Sequence, residues 1–239
     1  MKIFIFFTIS ILWSLSAMSQ EDESSVDTTL LQQPGFFSGI SVTADIGKLG
    51  LAQLVEFEDK KAFTAHLEFF GKFQLSAEYG MGTIAPIEAF ENVAYSVEGD
   101  YTRLGADYIT NIKLKNFISF GVRRAMSNYS DKGTVTIVSG SDLSNDYQRS
   151  FARSNLSANW WEVVISSETK LTRDFTGKEM NALQKVLDNF YFGLHYRLKF
   201  ALDYDPQEGI DTYTIPGYGR TFDRTVPAVS LYLRYRLGF

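Results

Sequence analysis

The sequence predicts an all-β protein: an eight-stranded antiparallel up-and-down transmembrane β-barrel. Three observations predict it. Apolar and polar residues alternate with a period of two along most of the chain, which is typical of strands with one apolar face. The connections between these segments alternate between short and long, as in outer-membrane barrels. The chain also begins with a secretory signal pattern, which gives a route to the outer membrane.

Composition excludes several classes of protein. The chain has 239 residues and a net charge of -5, without the clustered basic excess of a nucleic-acid binder. Cysteine is absent, which excludes disulfide scaffolds, cysteine nucleophiles, thiolate metal sites and a lipid anchor on cysteine. We therefore expect no nucleic-acid partner, no cofactor and no metal.

The N-terminal residues are predicted to lie outside the fold. Lys2 precedes an uncharged apolar run, Ile3 to Leu15, and the small residues Ala17 and Ser19 follow at the positions of a cleavage site. The run is too short for a membrane-spanning helix, which needs roughly 20 apolar residues. We predict a signal peptide over 1–20, a polar, disordered leader over 21–35, and the barrel over 36–239.

Alternation is clearest in residues 189–204, where seven apolar side chains from Phe190 to Leu202 share one face. His195, Arg197, Lys199 and Asp203 lie on the other face of that predicted strand. The last segment, 228–239, repeats the pattern. Six earlier strands are predicted near Phe37–Gly47, Ala62–Phe70, Phe73–Thr83, Tyr101–Ile109, Phe117–Met126 and Trp160–Leu171.

The connections fix the expected orientation. Residues 71–72 and 111–116 are predicted to be tight periplasmic turns, and the long loops 84–96, 129–159 and 204–224 are predicted to be extracellular. Both termini would then be periplasmic. A helical insert predicted at 178–188 departs from this layout, and the count would rise to ten if 133–140 (GTVTIVSG) crossed the membrane separately.

Alternation alone does not say which face is inside, because a soluble barrel turns its apolar face inward and an outer-membrane barrel turns it outward. The apolar faces carry bulky residues, whereas the polar faces mix small residues with balanced charge, which suits a narrow closed interior. We therefore predict a network of charges that plugs the lumen, made of seven acids and seven bases: Asp45, Glu68, Glu78, Arg103, Asp107, Arg123, Glu162, Glu168, Lys170, Arg197, Lys199, Asp203, Arg234 and Arg236.

Aromatic residues near the strand ends are expected to form interfacial girdles. The predicted girdle residues are Tyr79, Tyr101, Tyr108, Trp160, Trp161, Tyr196, Tyr204, Tyr232 and Tyr235.

Two resemblances support this location. The last strand, SLYLRYRLGF, resembles the terminal signal that the barrel-assembly machinery recognises, with Tyr235, Leu237 and Phe239 at its alternate positions. Most of the mature chain resembles an uncharacterised family of small Gram-negative outer-membrane β-barrels, a domain of unknown function, on the segments SVTADIG, LSAEYGMG, YTRLGADY, FISFGVRRAMS, FYFGLHYRLKF and IPGYGRTF. That resemblance implies a fold and a location, and no chemistry.

The two histidines are the candidates for chemistry. His66 is followed by Glu68 on the same face and His195 by Arg197, and neither stands in a pattern typical of a serine hydrolase or a metal site. We expect a non-enzymatic structural, adhesive or ligand-binding protein whose extracellular loops meet an unknown partner. Outer-membrane lipid and the barrel-assembly machinery are the other expected partners. A lipid-modifying or hydrolytic barrel enzyme and a narrow channel remain as alternatives.

Overall fold

The structure is a computed structural model. It describes residues 35–48, 50, 58–86, 89–113, 116–137, 147–171 and 186–238. The predicted signal peptide, all of the leader except Gly35, most of the helical insert at 178–188, and Phe239 lie outside these residues. Within the described residues, no helix is both long and apolar enough to cross a membrane.

The alternating segments form ten strands. They are β1 (Phe37–Asp45), β2 (Glu58–Phe69), β3 (Phe73–Ile84), β4 (Val93–Lys113), β5 (Asn116–Ile137), β6 (Tyr147–Lys170), β7 (Phe190–Tyr204), β8 (Thr214–Ile215), β9 (Gly219–Arg220) and β10 (Thr225–Gly238).

Eight of these strands close into a barrel in the order β1-β10-β7-β6-β5-β4-β3-β2, and each neighbouring pair is antiparallel. The predicted eight-stranded antiparallel barrel is confirmed. Strands β8 and β9 form a small separate hairpin inside the connection from β7 to β10, which the sequence did not indicate.

The apolar face of the strands is the outer face. On β7, Leu194 and Leu198 are each 38% exposed, whereas His195 and Arg197 are 3% and 4% exposed. The other barrel strands repeat this division. The barrel therefore holds its charges inside and presents large apolar side chains outward, the reverse of a soluble barrel.

Three neighbouring strands are much longer than the rest. Strands β4, β5 and β6 have 21, 22 and 24 residues, while β1, β2 and β3 have 9, 12 and 12. Most of the loop predicted at 129–159 is therefore strand, as are residues 93–96 of the loop predicted at 84–96. Residues 133–137 continue β5 and pair with β6, so within the described chain this stretch adds no further crossing.

Two single-residue bulges change which face a side chain occupies. Asn159 pairs with Asp203 and Trp161 with Phe200, so β7 carries one extra residue here, at Ala201 with φ +51°. Because an extra residue reverses the alternation, Asp203 is exposed, and its predicted place in the lumen is wrong. A second bulge, near Asn155 (φ +59°), has the same effect on the outer half of β6.

Candidate functional site

Two groups of residues fill the barrel interior. We call the charged side chains of the wall strands the ion-pair layer. We call residues 205–224, which fold back into the end of the barrel that carries the long loops (the loop end), the plug. The opposite end, with the tight turn at 70–72, is the turn end.

Glu78 is the centre of the ion-pair layer. It lies directly beside Arg103 in the pairing of β3 with β4 and makes an ion pair with it. Arg197 donates from Nη2 to Glu78 Oε2 at 2.8 Å and from Nη1 to Oε1 at 3.2 Å. Because β3 and β7 stand on opposite sides of the ring, this two-pronged pair spans the lumen from wall to wall.

Two more carboxylates extend the layer. Glu162 accepts from Arg103 Nε at 2.8 Å and from Trp160 Nε1 at 2.7 Å. Asp107 accepts from the Gln74 amide at 3.0 Å and lies 3.6 Å from Arg123. Each side chain comes from a fixed register position on a wall strand, so the network is as rigid as the sheet that carries it.

Towards the turn end, two further pairs join β10 to its surroundings. Arg234 lies 2.9 Å from Glu168, and Arg236 Nε donates to Glu68 Oε1 at 2.9 Å. Glu68 is on β2, one strand beyond β1. The pair forms across β1 because the inward positions between them are the small residues Gly39 and Ser41.

The structure buries eleven of the fourteen charges that the sequence assigned to the lumen, and Arg236 is half-buried in its pair with Glu68. Lys170 lies at the turn end, paired with Asp188 at 2.7 Å and outside the central network. Asp203 is on the outer surface, where its carboxylate accepts from Asn159 at 3.0 Å.

Sequence reasoning missed three interior charges. Lys48 follows the end of β1 and lies 3.1 Å from Asp45. Asp131 continues the alternation of β5 past the predicted strand end, so a longer strand would have placed it inside. Arg153 pairs with Asp131 at 2.5 Å, and the bulge at Asn155 hides it from any simple alternation.

Both histidines are buried and bonded to hydroxyl groups. His66 Nε2 lies 3.0 Å from Thr43 Oγ1, and His195 Nδ1 lies 2.7 Å from Ser166 Oγ. The second nitrogen of each ring has no hydrogen-bond partner. His195 also stacks on Tyr232 with the ring centroids 3.9 Å apart. Among the described residues, no group of three or more His, Asp or Glu side chains is arranged to hold a metal.

Glycines on neighbouring strands make room for these long side chains. A Cβ at Gly121 would collide with the Asp107 carboxylate, and one at Gly193 would collide with the Tyr232 ring. The interleaving of glycine with charge in the sequence therefore has a steric cause inside the barrel.

The plug enters the barrel on a tight turn. Tyr218 N donates to Ile215 O at 3.1 Å across Pro216 and Gly217, and Gly217 has φ +85°. This is the pattern of a type II turn, with proline second and glycine third. A Cβ at Gly217 would also meet the Tyr101 ring, so both the backbone angle and the close approach require glycine.

The plug is fastened to the ion-pair layer through its backbone. Arg103 Nη2 donates to Gly217 O at 2.7 Å. Lys199 Nζ donates to the carbonyls of Gly217 and Tyr218, each at 2.7 Å. Tyr218 is fully buried and meets Trp160 edge to face at 5.5 Å. The tip of the plug therefore closes the interior from above.

Further out, the plug packs against the long strands. Arg153, already paired with Asp131, donates from Nη1 to Ile210 O at 2.8 Å. The Tyr95 hydroxyl donates to Asp131 Oδ2 at 2.9 Å, and burial and that neighbouring carboxylate raise the pKa of Tyr95. Tyr213 and Phe90 meet edge to face at 5.6 Å. This part of the interior is mainly aromatic, in contrast to the ion-pair layer below.

The outer surface carries an apolar belt. Large apolar side chains that are about two-fifths to three-fifths exposed ring the barrel: Val42, Phe63, Leu67, Leu75, Leu104, Phe120, Val122, Val163, Ile165, Leu194, Leu198 and Leu231. On the long strands the outward positions become polar above Met126, at Asn128 and Ser130. The belt thus has a defined upper edge.

Aromatic residues mark both edges of the belt, though fewer than the sequence predicted. Trp161 stands at the upper edge, with the Arg124 guanidinium 5.1 Å from its ring. Phe190 and Tyr235 pack at 4.9 Å near the turn end, where Leu237 is 47% exposed. Four predicted girdle residues point into the barrel instead: Tyr101, Trp160, Tyr204 and Tyr232.

Comparison with known proteins places the chain in a family. A family model described as Domain of unknown function (DUF6048) matches residues 1–237. The chain belongs to this family. No curated protein matches the DUF6048 chain. Among solved structures it is similar to the N-terminal β-barrel domain of Pseudomonas aeruginosa OprF, with 11% identity and a TM-score of 0.40, over 86% of this chain and 100% of that one.

Proposed function

We propose that this chain is a sealed, non-enzymatic barrel of the Gram-negative outer membrane, which acts as a structural, adhesive or ligand-binding protein through its loop end. One observation carries the proposal: large apolar side chains ring the outer surface while charged side chains are buried inside. In water such an apolar surface is unfavourable, whereas in a bilayer it is the surface that contacts lipid.

The length of the belt supports this placement. A tilted transmembrane strand needs about 9–11 residues. Strands β1, β2 and β3 have 9, 12 and 12 residues, close to one crossing, and the longer β4, β5 and β6 turn polar where they pass the upper edge of the belt. The loop end then faces the exterior and the turn end faces the periplasm.

The packed interior supports a closed barrel over a channel. The pair between Arg197 and Glu78 crosses the lumen, and the plug covers it at the loop end. An eight-stranded barrel is just wide enough to be filled by its own side chains. In planar bilayers we expect no steady conductance above that of the lipid alone, and stable single-channel steps would overturn this part of the proposal.

The surroundings of the histidines support a non-enzymatic role. A nucleophilic hydroxyl needs a histidine oriented by a third group. Ser166 and Thr43 each have a histidine within reach, but the second nitrogen of each ring has no hydrogen-bond partner. The refolded chain should not hydrolyse phospholipid or ester substrates. If it did, and if His195→Gln abolished that hydrolysis, the non-enzymatic role would be contradicted.

The part of the long strands that projects above the belt is the best candidate for a binding surface. The outward faces of β4, β5 and β6 carry Glu98, Lys132 and Ser154 there, and loops on a rigid scaffold are common recognition sites. We propose outer-membrane lipid as the surrounding partner and an unidentified extracellular ligand as the other.

Site-specific quenching tests the membrane placement. The chain has no cysteine, so Leu198→Cys and Asn128→Cys each introduce a unique site for a spin label. In liposomes, a lipid-soluble quencher should reach position 198, and a water-soluble nickel complex should reach position 128. If the nickel complex reached both positions equally, a soluble barrel would be favoured.

The C-terminal strand is proposed as the signal for the barrel-assembly machinery. Tyr235 and Leu237 lie on its outward, apolar side, and Phe239 ends the chain. Deleting Phe239 should lower the fraction that migrates as a folded, heat-modifiable band from outer membranes. Deletion with unchanged assembly would remove this partner from the proposal.

A further inference from the structure

The wall of the barrel changes character at the loop end, between β2 and β10. Strand β1 pairs with β10 only up to Asp45, opposite Tyr232, and with β2 only up to Ala44, opposite Phe63. Above that level, no pairing through β1 joins residues 225–231 of β10 to the start of β2 among the described residues. A cavity of about 210 Å³ lies here, between the plug and the wall.

Basic side chains dominate the polar lining of this cavity. It is lined by Lys48, Lys60, Arg103, Arg197 and Lys199, and no acidic residue lines it among the described residues. They come from the β1 end, β2, β4 and β7, so the fold brings them together from separate parts of the sequence. Such a convergence attracts anions.

The charges beneath the cavity do not cancel within the described chain. Among the described residues, the central layer holds five bases (Lys48, Arg103, Arg123, Arg197 and Lys199) and four acids (Asp45, Glu78, Asp107 and Glu162). Uncompensated buried charge is unfavourable, so a bound anion would stabilise this region.

Hydrogen-bond donors also remain unused there. Arg197 Nε is buried and has no hydrogen-bond partner, although both its terminal nitrogens bond to Glu78. Lys199 bonds two plug carbonyls, which leaves one of its three N–H groups. Arg197 and Lys199 line the cavity from β7, and Lys60 lines it from β2.

The rest of the lining is apolar. Ile84, Tyr101, Ile215 and Tyr218 face the cavity beside the cations. A single water occupies about 30 Å³ of liquid, so the space suits a polyatomic anion more than a lone chloride. Guanidinium and ammonium groups together are the usual partners of phosphate oxygens, and the apolar wall suits a carbon chain attached to them.

We infer that this cavity is a binding site for a phosphate group, carried either by a lipid headgroup or by a free phosphate compound from outside the cell. The site adds a ligand class to the barrel and stands whether or not the loop end has the adhesive role proposed above. Lys60 guides the anion into the cavity, and Arg197 and Lys199 receive its oxygens.

The test uses the full mature chain folded in uncharged maltoside micelles. Binding of inorganic phosphate and of monomeric dihexanoyl phosphatidic acid is measured separately by titration calorimetry. We expect saturable binding of at least one of them. Tighter binding of phosphatidic acid would identify a lipid source, and equal affinity for inorganic phosphate would identify a water-borne one.

Two adjacent lysines supply the matched variants. Lys60 lines the cavity, whereas Lys61 faces outward with its side chain 49% exposed and pairs with Asp59 at 3.2 Å. Lys60→Gln should weaken binding by about tenfold, because a charged hydrogen bond contributes roughly that factor. Lys61→Gln should change the binding affinity by less than about twofold, because exposed charges contribute little interaction energy.

Lys60→Arg keeps the charge and should retain binding, which separates a lost ligand contact from a lost fold. Heat-modifiable migration checks that each variant is folded. If the wild-type chain bound neither compound, or if Lys60→Gln and Lys61→Gln weakened binding equally, the site would be refuted.

Discussion

The ion-pair layer and the plug fill the barrel in opposite ways. The ion-pair layer is made from side chains of the wall itself, such as Glu78 and Arg197, which reach each other across the lumen. The plug is a loop that folds inward and places aromatic side chains such as Tyr218 against the wall. The first cannot leave without opening the barrel, whereas we expect the second to detach while the wall stays closed.

Stability is therefore distributed unevenly between the two regions of the barrel interior. Side chains from several strands depend on one another in the ion-pair layer, so its loss is cooperative with the fold. The plug is anchored mainly by carbonyls that accept from Arg103 and Lys199 and by packing. Regions held by few contacts open separately from the core of a protein.

The largest effect is expected at the centre of the ion-pair layer. Glu78→Gln leaves Arg103 and Arg197 without the carboxylate that both contact. Stranding buried charge in this way should lower the free energy of unfolding by about 3–5 kcal/mol. Urea unfolding in liposomes, followed by tryptophan fluorescence, measures it.

The matched control is Glu98→Gln. Glu98 is an exposed carboxylate on the outward side of β4, and its loss should change stability by less than about 0.5 kcal/mol. Equal effects at the two positions would show that the interior is as solvated as the surface, and the distinction between the regions would fail.

The next effect concerns the plug. Tyr218→Ala removes a fully buried ring, and truncating a large aromatic residue of this kind costs about 3 kcal/mol of local packing. We expect proteases to cut within 205–224 much faster while the barrel keeps its heat-modifiable band. The control variant Glu208→Ala changes an exposed plug position, and proteases should cut it at the wild-type rate. Loss of the folded band in Tyr218→Ala would mean that plug and barrel form one cooperative unit.

The same two regions differ in how far the sequence predicts them. Eight wall strands and most interior charges follow from alternation, because the side-chain period of a strand is fixed at two. Alternation put Glu78, Arg103 and Arg123 on the polar face of their strands, and the balance of charge on that face then placed it inside. Their partners were less predictable, since the Arg236–Glu68 pair depends on small residues of the strand between them.

Some of the errors occur where the period of two is interrupted by a bulge. The bulge at Ala201 moved Asp203 to the surface and Tyr204 to the interior, and the bulge at Asn155 turned Arg153 inward. The plug has no alternation to read, so the sequence predicted residues 204–224 only as a long extracellular loop. The cavity depends on where strand pairing stops, which the sequence pattern does not contain.

A double-mutant cycle on Arg236 and Glu68 tests the edge of the ion-pair layer. Their side chains are 16% and 8% exposed, and the two atoms lie 2.9 Å apart. We expect Arg236→Met and Glu68→Gln together to cost less than the sum of the single changes, with a coupling of about 1–3 kcal/mol. The Lys61–Asp59 pair, 49% and 59% exposed, should couple by less than about 1 kcal/mol. Simple additivity at both pairs would indicate a wet lumen and would revive the channel hypothesis.

The smallest expected effect separates the plug by pH. Burial and the hydrogen bond to Asp211 raise the pKa of Tyr204 to about 12, and burial also raises the pKa of Tyr218. In an unfolded chain tyrosine ionises near pH 10. A group whose pKa is raised by folding contributes its full stability below the unfolded pKa and loses it as the pH rises towards the folded pKa.

The plug should therefore loosen between about pH 10 and pH 12. We expect faster proteolysis within 205–224 at pH 11 than at pH 9. Tyr204→Phe removes one of the titrating groups and should flatten that dependence, because its phenol no longer donates to Asp211 at 2.7 Å. A wild-type plug cut at the same rate at both pH values would show that these tyrosines do not hold it.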